Sequence, residues 1–153
     1  RDIALMDIEV IPPPKADLRI IVEEYEPPYY VVSNISVRLY PTLTDWEDET
    51  RLVAEAFTDQ NGEVLFRNLE SNTRYYVDVW GANHDNYALA AEDAAWIETQ
   101  VLIPGVENEF VAVVDYYPDG MKKSASDRKV LKKMRKENLD PDALRQYKKR
   151  EKK

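Results

Sequence analysis

The sequence predicts an all-β protein, a seven-strand Greek-key sandwich, with a basic helical hairpin at its C-terminal end. Short segments in which apolar and polar residues alternate are separated by turn residues, the pattern of half-buried antiparallel strands. The clearest turn is Asp-Gln-Asn-Gly at residues 59–62, after which Val64 and Phe66 alternate with other residues. Beyond Gly120 the apolar spacing changes to that of a helix, and lysine and arginine become frequent.

The predicted strands follow one another at close intervals. In the first of them, Leu18, Ile20 and Val22 share one face. The strands are expected at residues 18–22, 35–39, 52–57, 64–66, 75–80, 96–103 and 110–117. A short edge strand at residues 29–32 and a helical turn at residues 44–48 are expected between them. Seven short strands at this spacing favour a Greek-key sandwich.

The chain divides into three predicted parts. Residues 1–16 form an apolar and proline-rich lead-in, because its three prolines cannot donate hydrogen bonds to a ladder. Residues 17–120 form the sandwich, and residues 121–153 form the basic helical tail. In the tail, Ser126 is the expected cap of the first helix, and Asp140 and Pro141 are expected to begin the second.

Composition limits the function classes. The 153 residues are 44% hydrophobic, which is enough to bury a core, and no apolar run is long enough to span a bilayer. The absence of cysteine excludes disulfides and thiolate chemistry. Residues 1–121 hold 7 Lys and Arg against 24 Asp and Glu, whereas residues 122–153 hold 14 against 5. The acidic body should repel nucleic acid, so we do not expect that partner.

Residues 35–80 resemble the transthyretin-like domains, also called prealbumin-like or carboxypeptidase-regulatory-like. The matching elements are Val37-Arg38-Leu39-Tyr40, then Thr58-Asp59 with Gly62, Phe66, Asn68 and Leu69, then Tyr75-Tyr76-Val77 and Val79. The resemblance implies a seven-strand sandwich, usually without catalytic activity, that serves as a structural or binding unit of the cell envelope. The chain is similar in style to small surface lipoproteins of Gram-negative anaerobes. This implies the periplasm or the outer-membrane surface, with a signal segment absent from this chain.

The sequence offers little for catalysis or metal binding. His84, the only histidine, lies in Asn-His-Asp-Asn and is expected to be an ordinary loop residue. Asp59, Asn61 and Glu63 imitate the spacing of a calcium loop, but Val64 stands where glycine is required, so a turn is expected instead. Loop carboxylates such as Asp85 leave weak cation binding open. We predict no catalytic residues, no cofactor and no metal site.

The aromatic residues suggest a ligand surface. Trp46, Trp80 and Trp96, with exposed tyrosines, are candidates for a platform that binds sugar rings, although most of these aromatic residues are expected in the core. His84 and Asp85 are further candidate ligand-binding residues. Trp46 is expected to be the most exposed of the three, because charged residues surround it in a connection between strands. A noncatalytic module that contacts protein or glycan through its loops is therefore the predicted function. The alternative is a carbohydrate-active enzyme or a carbohydrate-binding accessory domain.

The tail is the other candidate site, since such a dense cluster of positive charges indicates contact with an anionic group. Three interpretations remain open: it folds back on its own acidic body, binds an anionic surface such as lipid headgroups, or binds nucleic acid, which ranks last. A solvated end is the ordinary alternative. The candidate basic residues are Lys122, Lys123, Arg128, Lys129, Lys132, Lys133, Arg135, Lys136, Lys148, Lys149 and Arg150.

Overall fold

The structure, a computed structural model, describes residues 11–119, 124–138, 141–142 and 144–145. Its strands are β1 (Ala16–Glu24), β2 (Ser36–Tyr40), β3 (Ala54–Phe57), β4 (Glu63–Leu69), β5 (Tyr76–Trp80), β6 (His84–Asp85) and β7 (Glu107–Tyr116). Its helices are α1 (Leu43–Asp48), α2 (Tyr87–Glu92) and α3 (Ala125–Asn138), with a 3₁₀ turn at Ala94–Trp96. The fold is therefore rich in sheet, with three helices among the described residues.

The strands form one mixed, nearly closed sheet in the order β3-β2-β5-β6-β7-β1-β4. Neighbouring strands are antiparallel except β1 and β7, which run parallel along their full contact from Asp17 beside Glu107 to Glu24 beside Val114. The parallel pair brings the C-terminal ends of β1 and β7 together at one edge of the barrel.

Alternation in β1 explains how the sheet closes around its core. Leu18, Ile20 and Val22 are fully buried, whereas Arg19 and Ile21 between them are only partly covered. The same face continues into β2, β4, β5 and β7, so that one apolar cluster fills the interior. Every buried side-chain nitrogen or oxygen in the described part of the chain has a hydrogen-bond partner.

The turn at residues 59–62 is confirmed. The Asp59 carboxylate accepts hydrogen bonds from the backbone N–H groups of Asn61 and Glu63, at 2.8 and 3.0 Å. Gly62 has a φ of +75°, which a side chain would strain. The carboxylate that imitates a calcium ligand therefore holds the backbone of a tight turn.

A second cluster packs outside the barrel, between β5 and the helices. It contains Trp46 of α1, the alanines and Tyr87 of α2, and Leu131 of α3. Leu144, which is helical in the structure, belongs to the same cluster. Helix α3 is thus packed on the body through apolar as well as charged residues.

Most predicted elements are confirmed, but the predicted sixth strand at residues 96–103 is wrong. Asp93 caps a 3₁₀ turn there by accepting from Ala95 N at 2.9 Å. The chain after this turn makes a single bridge to β5, and the Thr99 hydroxyl accepts from Tyr75 N where a ladder bond would otherwise run. The seventh strand of the sheet is instead the two-residue β6, which the sequence pattern did not indicate.

Two details near the termini of elements also differ from expectation. Helix α3 is capped by Ser124, whose hydroxyl accepts from Asp127 N at 3.1 Å, and Ser126 lies inside the helix. The segment at residues 29–32 makes only one bridge, from Val31 to Glu23. Of the predicted second tail helix, residues 141–142 and 144–145 are helical, and the remainder lies outside the described residues, as do residues 1–10 of the lead-in.

Candidate functional site

The first candidate site is an aromatic and acidic recess in the body that receives helix α3. Its walls come from the end of β2, helix α1 and its C-terminal cap, the middle of β5, and the start of α2. We call it the helix recess, and it consists of Tyr40, Trp46, Glu49, Asp78 and Tyr87.

Local interactions in α1 place Trp46 in the recess. Thr42 caps the helix by accepting from Asp45 N at 3.1 Å, and the Trp46 indole then donates to the carbonyl of Val77 at 3.1 Å. Trp46 is fully buried, so the prediction that it is the most exposed tryptophan is wrong. Its charged neighbours face α3 or a nearby side chain: Glu47 and Glu49 pair with α3, and Asp45 pairs with Arg51.

Lys132 fills the recess. Its ammonium donates to the Trp46 carbonyl and to Asp78 Oδ2, each at 2.6 Å, and lies 3.1 Å from Glu49 Oε2. Three oxygens match the three donors of an ammonium group. The rings of Trp46, Tyr40 and Tyr87 surround the same nitrogen, with centroids at 4.5, 5.1 and 5.5 Å. The recess thus holds a buried cation by ion pairing and by cation–π contacts together.

Two arginines of α3 flank Lys132 on the same helix face. Arg128 donates two hydrogen bonds to the Glu49 carboxylate, at 3.0 and 3.3 Å. Arg135 donates to Glu47 at 2.6 Å and to the Ala90 carbonyl at 3.1 Å. Positions i, i+4 and i+7 lie on one face of a helix, so the three cations enter the acidic surface side by side.

The buried charges shift two pKa values in opposite directions. Burial alone would raise the pKa of Glu49, but hydrogen bonds from Arg128 and Lys132 outweigh it and hold that pKa below its ordinary value. Burial raises the pKa of the Tyr87 hydroxyl well above its ordinary value, as does the negative charge of Asp78. Tyr87 therefore stays protonated and donates to Asp78 Oδ1 at 2.6 Å.

The second candidate site is an exposed groove at the joined ends of β1 and β7. We call it the tyrosine groove, and it is lined by Glu23, Glu24, Tyr25, Glu26, Pro27, Tyr29, Trp96 and Val113. Tyr25 and Tyr29 keep 40% and 55% of their surface exposed, so both present aromatic surface to solvent.

Turns and hydrogen bonds hold the aromatic side chains of the groove. Tyr25 N donates to the Val114 carbonyl at 2.8 Å, and Tyr29 N donates to the Glu26 carbonyl at 2.9 Å. Tyr29 has a φ of +63°, a conformation that costs energy for a bulky residue and persists only where neighbours fix it. The Trp96 ring meets the Tyr25 ring edge to face at 5.7 Å. Hydrogen bonds thus hold the backbone of Tyr25 and Tyr29 beside the joined ends of β1 and β7, and Trp96 packs against the Tyr25 ring.

The predicted site residues separate between these two places. Trp80 is buried near the helix recess, where its ring stacks on Tyr87 at 5.3 Å and lies under Arg128. Asp85 is buried too, and its carboxylate accepts from Tyr87 N at 3.0 Å. Trp96 lines the tyrosine groove. The five predicted residues therefore do not form one sugar-binding platform.

His84 does not lie in a loop, because it begins β6. Its Nε2 atom is 2.8 Å from the carboxylate of Glu24, a groove residue, and its ring stacks on Tyr116 at 4.9 Å. Both partners lie on strands that neighbour β6 or end beside it. The histidine consequently joins β6 to the groove edge.

The candidate basic residues of the tail also fall into two groups. Arg128, Lys132 and Arg135 enter the acidic surface, whereas Lys129, Lys133 and Lys136 are exposed. Lys122, Lys123, Lys148, Lys149 and Arg150 lie outside the described residues. The sequence signal that distinguishes the inward-facing cations from the exposed lysines is the spacing of residues 128, 132 and 135. This spacing places three cations on one face of a helix, from which all three can reach one surface.

Both places combine carboxylates with aromatic rings. Across the described ranges, no group of three or more His, Asp or Glu could hold a metal ion, and no helix is both long and apolar enough to cross a membrane. Comparisons of the sequence with protein-family models and with curated proteins find no match.

Proposed function

We propose that this chain is a noncatalytic binding or structural module of the bacterial cell envelope, which contacts a glycan or protein partner through the tyrosine groove. The observation that carries the proposal is the pair of exposed rings, Tyr25 and Tyr29, beside the partly exposed Trp96. Exposed aromatic side chains held in fixed positions are typical of binding surfaces, because they bury much area with little loss of conformational entropy.

The basic tail has a separate role in this proposal. Helix α3 provides three cations for the acidic face of its own body, through the contacts of Arg128, Lys132 and Arg135. Its exposed lysines remain available for an anionic surface. One face of the helix thus binds the body of the same chain, and an external anionic partner would contact the opposite face, which carries the exposed lysines.

A relation to transthyretin-like domains and a Greek-key sandwich arrangement belong to the same proposal. Support comes from the motif segments, since residues 59–62 form the expected turn and Val37, Val77 and Val79 lie buried on paired strands. The envelope location rests on the resemblance in sequence.

The test is a binding panel of envelope polysaccharides and envelope proteins, read by tryptophan fluorescence. Trp96 is the tryptophan that should report, because Trp46 and Trp80 are buried. A ligand of the groove should shift the emission, and Tyr29→Ala should weaken its binding at least about fivefold, the loss of one aromatic contact. Phe57→Ala, which removes an exposed ring of β3, is the matched control and should bind normally.

Substrate turnover distinguishes the proposed noncatalytic module from the alternative, a carbohydrate-active enzyme. The proposal expects the same panel to be left intact during long incubation with the protein. Hydrolysis of a glycan that a single carboxylate substitution abolishes would contradict the noncatalytic function.

Equal binding by the wild type and Tyr29→Ala would show that the groove is not the contact surface.

A further inference from the structure

The tyrosine groove combines aromatic faces with acidic side chains. Glu23, Glu24 and Glu26 line it together with Tyr25, Tyr29 and Trp96. An aromatic face carries partial negative charge, so rings and carboxylates reinforce each other in attracting a cation. A neutral sugar would use the rings but would gain nothing from three negative charges in one groove.

Two of these glutamates differ from many others on the body. Glu63 and Glu107 pair with Arg19, and Glu55 pairs with Arg38. Within the described residues, by contrast, no cationic nitrogen lies within 4.0 Å of the Glu23 or Glu26 carboxylates. Their negative charge is therefore available to a ligand.

The third glutamate, Glu24, contacts a histidine. Glu24 contacts His84 at 2.8 Å, and both side chains are 15% exposed. The contact fixes the Glu24 carboxylate at the groove edge.

The helix recess of the same protein shows what this combination of groups binds. There, three aromatic rings and two carboxylates hold the ammonium of Lys132. The tyrosine groove presents the same kinds of group, but they are open to solvent. The difference in exposure suits a partner that arrives from outside the chain.

From these observations we propose that the tyrosine groove binds a lysine or arginine side chain within a basic segment of another protein. The inference rests on the proposed function of the groove as the binding face, and it names the chemistry of the partner. The cationic group would sit against the glutamates while its aliphatic part covers the exposed faces of Tyr25 and Tyr29, as long basic side chains do on apolar surfaces.

The experiment is calorimetric titration of the full chain with a capped peptide in which lysines alternate with glycines, and with the same peptide containing norleucine for lysine. The lysine peptide should bind, and more weakly as salt rises. The norleucine peptide should bind at least about tenfold less tightly, since it loses both ion pairing and cation–π contact. Glu23→Gln with Glu26→Gln should weaken the lysine peptide about fivefold.

The matched control is Glu109→Gln with Glu137→Gln, two exposed glutamates outside the groove lining. It changes the net charge by two, as the groove variant does, and should leave the affinity nearly unchanged. A loss of affinity equal to that of the groove variant would show a general charge effect and would overturn the inference. Equal binding of the two peptides would overturn it as well.

The remaining outcomes identify other occupants. Association of the protein with itself that the groove variant abolishes would assign the groove to a second copy. Tighter peptide binding after Lys148, Lys149 and Arg150 are changed to Gln would assign it to the chain's own tail. Either result would overturn the inference that the groove binds a basic segment of another protein. Glycan binding that Tyr29→Ala weakens but the glutamate variant leaves unchanged would overturn this inference and leave the proposed function standing. Glycan hydrolysis would overturn the proposed function.

Discussion

The Lys132 ammonium lies 2.6 Å from Asp78 Oδ2, and neither side chain is more than 1% exposed. One charge comes from helix α3 and the other from the centre of β5, so the pair joins the basic tail to the acidic body. A buried charge that loses its partner is costly, because neither water nor another ion replaces the contact. Helix α3 is therefore packed on the body by charged as well as apolar contacts.

We expect Lys132→Met to destabilise the protein by about 3–5 kcal/mol, since it leaves buried carboxylates without their cation. Chemical denaturation measures the change in the free energy of unfolding. Lys133→Met, at the next and exposed position of the same helix, should change it by less than about 0.5 kcal/mol. In the double variant with Asp78→Leu, much of the loss should be recovered, because the uncompensated carboxylate of Asp78 is gone. Strictly additive effects would show that the two side chains do not interact.

Tyr87→Phe should cost about 1–3 kcal/mol, because it removes the hydroxyl that donates to Asp78 Oδ1 and leaves that buried oxygen without this donor. Thermal melting with a parallel denaturant series is the measurement. Tyr116→Phe is the control, since Tyr116 is half exposed and its ring, which the substitution keeps, stacks on His84. Equal stability of Tyr87→Phe and the wild type would contradict the contact.

The helix contact should weaken in acid. Because the folded pKa of Glu49 is held below its ordinary value of 4.5, its contribution is complete above about pH 4.5 and is lost as pH falls through the folded value. Glu49→Gln should therefore be about 2 kcal/mol less stable at pH 7, with the gap narrowing below pH 4.5. Stability measured from pH 7 to 3 checks this. A gap that stays constant over this range would be inconsistent with the lowered pKa of Glu49.

Gly62→Ala should destabilise the turn between β3 and β4 by about 2–4 kcal/mol. The added Cβ atom would lie 2.7 Å from Val31 Cβ and 3.1 Å from the Val22 carbonyl oxygen. Gly105→Ala separates this clash from backbone strain, since Gly105 has a similar φ of +76° but its nearest contact would be an ordinary 3.7 Å to Pro14. It should cost about 1 kcal/mol. Equal losses in denaturation would mean that the clash is relieved.

Local signals were sufficient for much of the sheet. Alternation at Leu18, Ile20 and Val22 predicts β1 because each residue faces the same core, and the turn at residues 59–62 is encoded by Asp59 and Gly62 themselves. The prediction of a strand at residues 96–103 is wrong because Tyr75 N donates to the Thr99 hydroxyl and not to a backbone carbonyl. Alternation of apolar and polar residues does not reveal such a contact. Strand β6 is too short to show a period.

The candidate sites were harder to predict, because they depend on contacts between distant segments. Trp46 has charged neighbours in sequence, and these suggest an exposed position. Those charges are satisfied instead by Arg51 and by helix α3, about 80 residues later in the chain, so the indole itself is buried. The tyrosine groove likewise needs Trp96 to reach the end of β1, a contact that no local pattern encodes.

The most direct measurement compares the thermal melting of two full-length variants that carry equal charge changes on helix α3. One replaces the three recess-facing cations with Gln: Arg128, Lys132 and Arg135. The other replaces three exposed lysines with Gln: Lys129, Lys133 and Lys136. If helix α3 is held by its buried charges, the first variant melts far below the wild type, also at high salt, and the second melts close to it. Two variants with the same midpoint would contradict the docking of the tail on its own body.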